Sequence, residues 1–166
     1  PFVYNEDSNI HLNNLISKDC LIHNLQIVEF IKKNKIDTIF YTQRANYPHP
    51  EDVYFSLIKV KKLVRELHFI GVTPIYDPSS TIFQKAFGVE GKFRNRVGVE
   101  NDYFAQKFAA TDINYIDVYH LFCETKSRCI NRKEKVWLFA DGNHLSRAGV
   151  NFVKDYVWSE IHSKIH

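Results

Sequence analysis

Methionine is absent from this 166-residue sequence, and the chain opens on Pro1-Phe2-Val3. Those two features read as a piece of a longer polypeptide, incomplete at its N-terminus. Six glycines and five prolines are too few and too dispersed for a fibrous or low-complexity chain. No window approaches the roughly 18 unbroken apolar residues of a membrane span. The first residues show neither the basic start nor the apolar run of a signal peptide. Neither sign of charge dominates: 22 Lys+Arg against 19 Asp+Glu leave +3. The basic residues are scattered, apart from Lys32-Lys33-Asn34-Lys35 and Lys59-Val60-Lys61-Lys62. Both clusters lie on or beside helical patterns, where a solvated face is the simpler reading. A nucleic-acid surface would need a basic stripe interleaved with aromatics, so no nucleic-acid partner is expected.

What the chain does have is 45% hydrophobic, 14% aromatic and 25% charged residues, the profile of one globular domain over residues 1–166. A chain of this length buries roughly two-thirds of its unfolded surface and needs no metal or disulfide scaffold to fold. Leu21, Leu25, Val28 and Ile31 predict a helix over 21–34. A strand over 36–41 follows, then the polar loop 43–50. Val53, Leu57, Val60, Leu63, Val64 and Leu67 predict a helix over 51–68, stopped by Gly71, before a strand over 72–76. From Asp77 to Glu100 the pattern dissolves, which predicts a long loop of functional or mobile character. A helix over 101–110, a strand over 113–116, a helical turn over 118–122 and a strand over 136–139 come next. Ser146 then caps a helix running through Ile161, with Val150, Val153, Val157 and Ile161 on one face.

Strands alternating with helices predict an α/β fold, a flavodoxin-like three-layer sandwich around a mostly parallel sheet. Reactive groups in such sheets gather beyond the carboxyl ends of the strands. That rule selects the loops 42–50 and 140–146. A flavodoxin-like binding or signalling module would need a phosphate-cradling glycine loop at a strand end, and none is present.

Cys123 and Cys129 flank a polar stretch short enough for a disulfide-closed loop to span. Two reduced thiols are the even alternative, and no second Cys/His pair at ligand spacing argues for a metal. Cys20 reads as a small core residue near the start of a helix.

The chemistry concentrates in Phe139-Ala140-Asp141-Gly142-Asn143-His144-Leu145-Ser146-Arg147-Ala148-Gly149. An acid and an imidazole three residues apart occupy one tight turn at a strand's carboxyl edge. There Asp141 can hold Nδ1–H of His144, fix the tautomer and leave Nε2 as a general base. The plain alternative is a surface turn capped by both side chains. His11, His23, His68, His120, His162 and His166 read as core or surface residues with no acid at useful spacing. His49 shares the loop of Arg44 and reads as a residue of the site mouth or part of a plain Pro-His-Pro turn, and Asp77, at the end of the strand over 72–76, is held as a substrate-contact candidate.

Asp-Gly-Asn-His-Leu-Ser-x-x-Gly opening the last helix resembles the final motif of the SGNH (GDSL-like) hydrolases. More narrowly, it is similar to the SGNH domain attached to membrane acyltransferase-3 proteins, which O-acetylate cell-surface glycans. Tyr115-Ile116-Asp117-Val118-Tyr119, Leu121-Phe122-Cys123, Cys129 and Leu138-Phe139-Ala140-Asp141 follow that family's order. Ile39-Phe40-Tyr41-Thr42-Gln43-Arg44 with Tyr47, and Gly71-Val72-Thr73-Pro74-Ile75, resemble two of its strands. The resemblance spans roughly residues 20–160.

It implies His144 as general base and Asp141 as its orienting acid. Arg44 becomes the family's strand-end arginine, a contact to a substrate oxygen or the oxyanion, although Ala45 follows it where the family usually has Trp. Cys123 and Cys129 become a disulfide, which places the domain on an extracytoplasmic, periplasmic or cell-surface side. The family's Gly-Asp-Ser nucleophile strand is missing. Ser8 is the nearest stand-in, and a strand upstream of Pro1 is the preferred source. Phe83, Phe87, Phe93 and Tyr103 are aromatics able to stack on sugar faces or anchor loops.

The resulting expectation is O-acyl (acetyl) transfer to or from a cell-surface polysaccharide such as an O-antigen, by a Ser-His-Asp mechanism. Its partners would be an acyl donor, a glycan acceptor and a membrane acyltransferase domain on the same polypeptide, with no metal and no cofactor. The alternatives are a free-standing SGNH carbohydrate esterase and a catalytically inactive glycan-binding SGNH-like domain.

Overall fold

The computed structural model describes residues 18–43, 50–76, 95–126 and 128–163. Helix α1 (Lys18–Asn34) leads into strand β1 (Thr38–Thr42), helix α2 (Pro50–Lys61) and strand β2 (Glu66–Ile70). Helix α3 (Asn95–Phe108), strand β3 (Asn114–Ile116) and the single turn α4 (Tyr119–Phe122) follow. A hairpin of β4 (Arg132–Lys133) and β5 (Val136–Trp137) precedes the last helix, α5 (Arg147–His162).

Strands β1, β2 and β3 form a parallel sheet in that order, with Ile39 beside Leu67, Tyr41 beside Phe69, and Phe69 beside Tyr115. The period-two alternation of a strand divides this sheet between two cores. Leu67 and Phe69 point into one core with Val28 and Ile31 of α1, Val53, Leu57 and Val60 of α2, and Phe104 and Phe108 of α3. Phe69 is fully buried there, with ring centroids 4.9 Å from Phe104 and 5.5 Å from Phe108 and Tyr115. Ile70 and Ile116 face the second core, built from Val72, Tyr76, Tyr119, Phe122, Leu138, Phe139 and Ile161 of α5. The expected α/β sandwich around a parallel sheet is therefore present.

Several boundaries differ from the sequence-based expectation. Helix α2 stops at Lys61, and residues 66–68 belong to β2, so the strand precedes Gly71. Val64 and Leu67 are buried as expected, but they reach the core from a turn and a strand. Val60, Val64 and Leu67 keep a helical spacing, whereas Leu67 and Phe69 alternating with Glu66 and His68 is the strand pattern. Residues 71–75 form no strand; Gly71 N–H still donates to the Ile116 carbonyl at 2.8 Å, extending the sheet edge by one bond. Helix α3 begins at Asn95, inside the stretch expected to be a loop. Residues 136–139 do not add a parallel strand. Val136–Trp137 pairs antiparallel with Arg132–Lys133 through a two-residue turn, Glu134 and Lys135, both at positive φ. Such a turn normally announces itself by Asn-Gly, and none is written here.

Candidate active site

Phe139 bridges to Leu145, and the chain between them forms the Asp141–His144 turn. Ala140 N–H donates to the His144 carbonyl at 2.8 Å, and Tyr76 N–H reaches across from the end of the β2 segment to the Gly142 carbonyl at 2.7 Å. Ser146 closes the turn and starts α5: its hydroxyl donates to the Trp137 carbonyl and accepts the Gly149 N–H at 3.1 Å. Gly149 is obligatory because a Cβ there would fall inside the Leu138 carbonyl. The Ser-x-x-Gly part of the motif is thus the packing of a helix start against a strand end.

Within the turn, one carboxylate organises three donors. Asp141 Oδ1 accepts the backbone N–H of Asn143 at 2.9 Å and of His144 at 2.8 Å. Its Oδ2 lies 2.8 Å from His144 Nδ1. The Asn143 N–H first, then the His144 side chain and backbone, hold the Asp141 pKa down to about 2. An ionised carboxylate can only accept, so His144 Nδ1 carries the proton and donates it to Asp141. Nε2 is left with its lone pair outward, on a side chain 72% exposed. That is the arrangement of an oriented general base.

The sequence-predicted residues divide cleanly. Asp141 and His144 are brought together as expected. Cys123 and Cys129 form a disulfide, buried at the end of α4. Arg44, Ser8, His49, Asp77, Phe83, Phe87 and Phe93 lie outside the described residues, as does the side chain of Cys20. Tyr103 is on α3, half-buried, with Lys107 over its ring. Among the described residues no group of three or more His, Cys, Asp or Glu side chains is placed to hold a metal ion.

Two histidines depart from their expected isolation. His68 is buried, 2.9 Å from Asn114 Nδ2 and 3.5 Å from Glu66. His120 stands 2.7 Å from Asp117 Oδ2 through Nδ1, while its backbone N–H donates to Asp117 Oδ1 at 3.1 Å. Asp117-x-x-His120 repeats the spacing and the bonding of Asp141-x-x-His144. The repeated spacing after a strand was the signal available in the sequence.

A family model described as an SGNH domain fused to AT3 domains matches residues 1–158. No curated protein matches the chain. No helix among the described residues is long and apolar enough to cross a membrane. With its parallel sheet, its bridged cysteines and an Asp-x-x-His turn at the start of the last helix, the chain belongs to the SGNH family, in the branch whose domains are fused to AT3 acyltransferase domains.

Proposed function

We propose that this domain transfers an O-acyl group, acetyl in the simplest case, to or from a cell-surface polysaccharide by a Ser-His-Asp mechanism. The observation that supports it is the double hold of Asp141 on His144, backbone N–H on one oxygen and Nδ1–H on the other. A serine hydroxyl gives its proton to His144 Nε2 as its oxygen attacks the acyl carbonyl, and His144 returns the proton to the departing oxygen. The acceptor, a sugar hydroxyl or water, then takes the acyl group from the serine oxygen, which regains its proton from His144. Arg44, which follows β1 in the sequence, is the candidate contact to the oxyanion or a substrate oxygen.

We place the nucleophile outside the described serines. Ser56, Ser146, Ser159 and Ser163 each donate to a backbone carbonyl. The candidates are Ser8 and a serine upstream of Pro1. The reaction takes an acyl donor and a glycan acceptor and calls for no cofactor. The Cys123–Cys129 bridge suits an extracytoplasmic side, with the domain tethered to its membrane acyltransferase partner.

Hydrolysis of 4-nitrophenyl acetate by residues 1–166 and by the full-length polypeptide tests this reading. Activity confined to the longer chain assigns an upstream serine, and activity in the shorter one assigns Ser8. Silence from both contradicts catalysis and favours an inactive glycan-binding domain.

A further inference from the structure

The second Asp–His pair lies at the same edge of the sheet. Asp117 directly follows Ile116, the last residue of β3. The α4 turn that carries His120 packs its Phe122 ring 5.2 Å from Phe139, two residues before Asp141. Phe139 in turn meets Tyr76 at 4.8 Å, and Tyr76 N–H holds the Gly142 carbonyl. Both turns are therefore anchored on one aromatic cluster.

An Asp that merely caps a four-residue helical turn needs one oxygen on one backbone N–H. Asp117 has more. Asn101 of α3, fully buried, donates through Nδ2 to both carboxylate oxygens at 3.2 and 3.3 Å. The Tyr115 hydroxyl donates to Asn101 Oδ1 at 2.5 Å and fixes that amide's orientation. A part-buried chain, Tyr115 to Asn101 to Asp117, ends on a half-exposed imidazole whose Nδ1 is engaged and whose Nε2 has no partner among the described residues. Tyr119 packs its ring 5.7 Å from His120, and Tyr115, Tyr119 and Tyr156 of α5 all lie within the field of Asp117, while Asp102 nearby is paired with Lys126 at 2.7 Å.

We infer that Asp117 and His120 form a second acid–base pair, and that His120 deprotonates the hydroxyl of a sugar-type alcohol as it accepts the acyl group. This rests on the Asp141–His144 reading and divides the labour of that site. His144 serves formation of the acyl-enzyme. In the second half, the acceptor O–H proton passes to His120 Nε2 while its oxygen bonds to the acyl carbon. The bond from that carbon to the nucleophile's oxygen breaks, His144 reprotonates that oxygen with a proton drawn from solvent, and His120 releases its own to solvent. One ester is exchanged for another, with no net change in protons.

The test uses the full-length polypeptide, 4-nitrophenyl acetate as donor and methyl α-glucopyranoside as acceptor. Two readouts are separate: the burst of nitrophenolate, and the ratio of acetylated glucoside to free acetate. His120→Gln, with an unchanged unfolding midpoint, should keep the burst within a factor of about two and lower the ratio about 10²-fold, the range of a lost general base. Asp117→Asn should move the ratio the same way. If His120→Gln alters neither readout, the inference is overturned while the role of His144 stands. Loss of the burst in His120→Gln with its retention in His144→Gln contradicts both assignments, and so does an unsubstituted protein that releases no nitrophenolate.

Discussion

Asp141 is held ionised by two backbone N–H groups and an imidazole, and that defines what its turn can do. Its pKa lies near 2 against an ordinary 3.8. A carboxylate with a depressed folded-state pKa contributes its order above the ordinary value and loses it as pH falls toward the folded one. The Asp141 turn is therefore intact at pH 5, and it loosens only between about pH 4 and pH 2. Carboxyl-carbon NMR of Asp141 should give a midpoint near 2; a midpoint near 4 would mean that the hydrogen bonds are absent in solution. Depressed acidity does not mark a site by itself. Asp37 and Asp112 are lowered too, through side-chain bonds to Arg65 and Lys61 at the opposite edge of the sheet. Those are surface ion pairs of small worth. What distinguishes Asp141 is the imidazole it orients. Asp141→Asn should keep the turn's shape, present the wrong tautomer and reduce acyl transfer by on the order of 10⁴, read as kcat.

Element by element, the decisive geometry is a helix start laid against a strand end. Gly149 belongs to α5, and any side chain there meets the Leu138 carbonyl. Gly149→Ala should destabilise the domain by about 2–3 kcal/mol, the cost of forced overpacking, and blur the Asp141 turn three residues before the helix. Urea denaturation checks it, and an unchanged midpoint would show that α5 is free to shift. This region was the most legible in the sequence, because Ser146, Gly149 and the Asp-x-x-His spacing each have one local reason to be there. The same holds for α1 and for β3, whose periodicity is undisturbed. The junction of α2 and β2 was not legible. Val60, Val64 and Leu67 continue a helical stripe across a turn that the sequence marks with neither Gly nor Pro, and only pairing with β1 turns Glu66–Ile70 into strand. The β4–β5 hairpin escaped for a related reason, since Glu134 and Lys135 take positive φ without being the residues that favour it. Asp117 and His120 were readable by the repeated spacing, although His120 reads in the sequence as a histidine without a paired acid. Their brace was not, because Asn101 reaches Asp117 only once α3 is folded onto β3.

For the molecule as a whole, the fold is a parallel sheet with two Asp–His turns at the carboxyl edge, and one covalent tie near them. The Cys123–Cys129 bridge closes a short loop, with Glu124 N–H on the Arg128 carbonyl and Ile130 N–H on the Phe122 carbonyl. Loop-closure entropy for a separation of 6 residues corresponds to about 2 kcal/mol. Reduction should lower the urea midpoint accordingly, and an identical midpoint with and without reductant would mean that the bridge contributes nothing to the folded state. The tie also fixes α4, and with it Phe122 against Phe139, so the position of both Asp–His turns depends on the same small core.

The central claim is that His144 is the base that activates the nucleophile in an SGNH acyltransferase domain. Release of nitrophenolate from 4-nitrophenyl acetate by the full-length polypeptide, measured beside His144→Ala at matched folding, tests it most directly. The account predicts that the substitution slows release by at least about 10²-fold, the contribution of a positioned general base. Release at the unsubstituted rate in His144→Ala would contradict it.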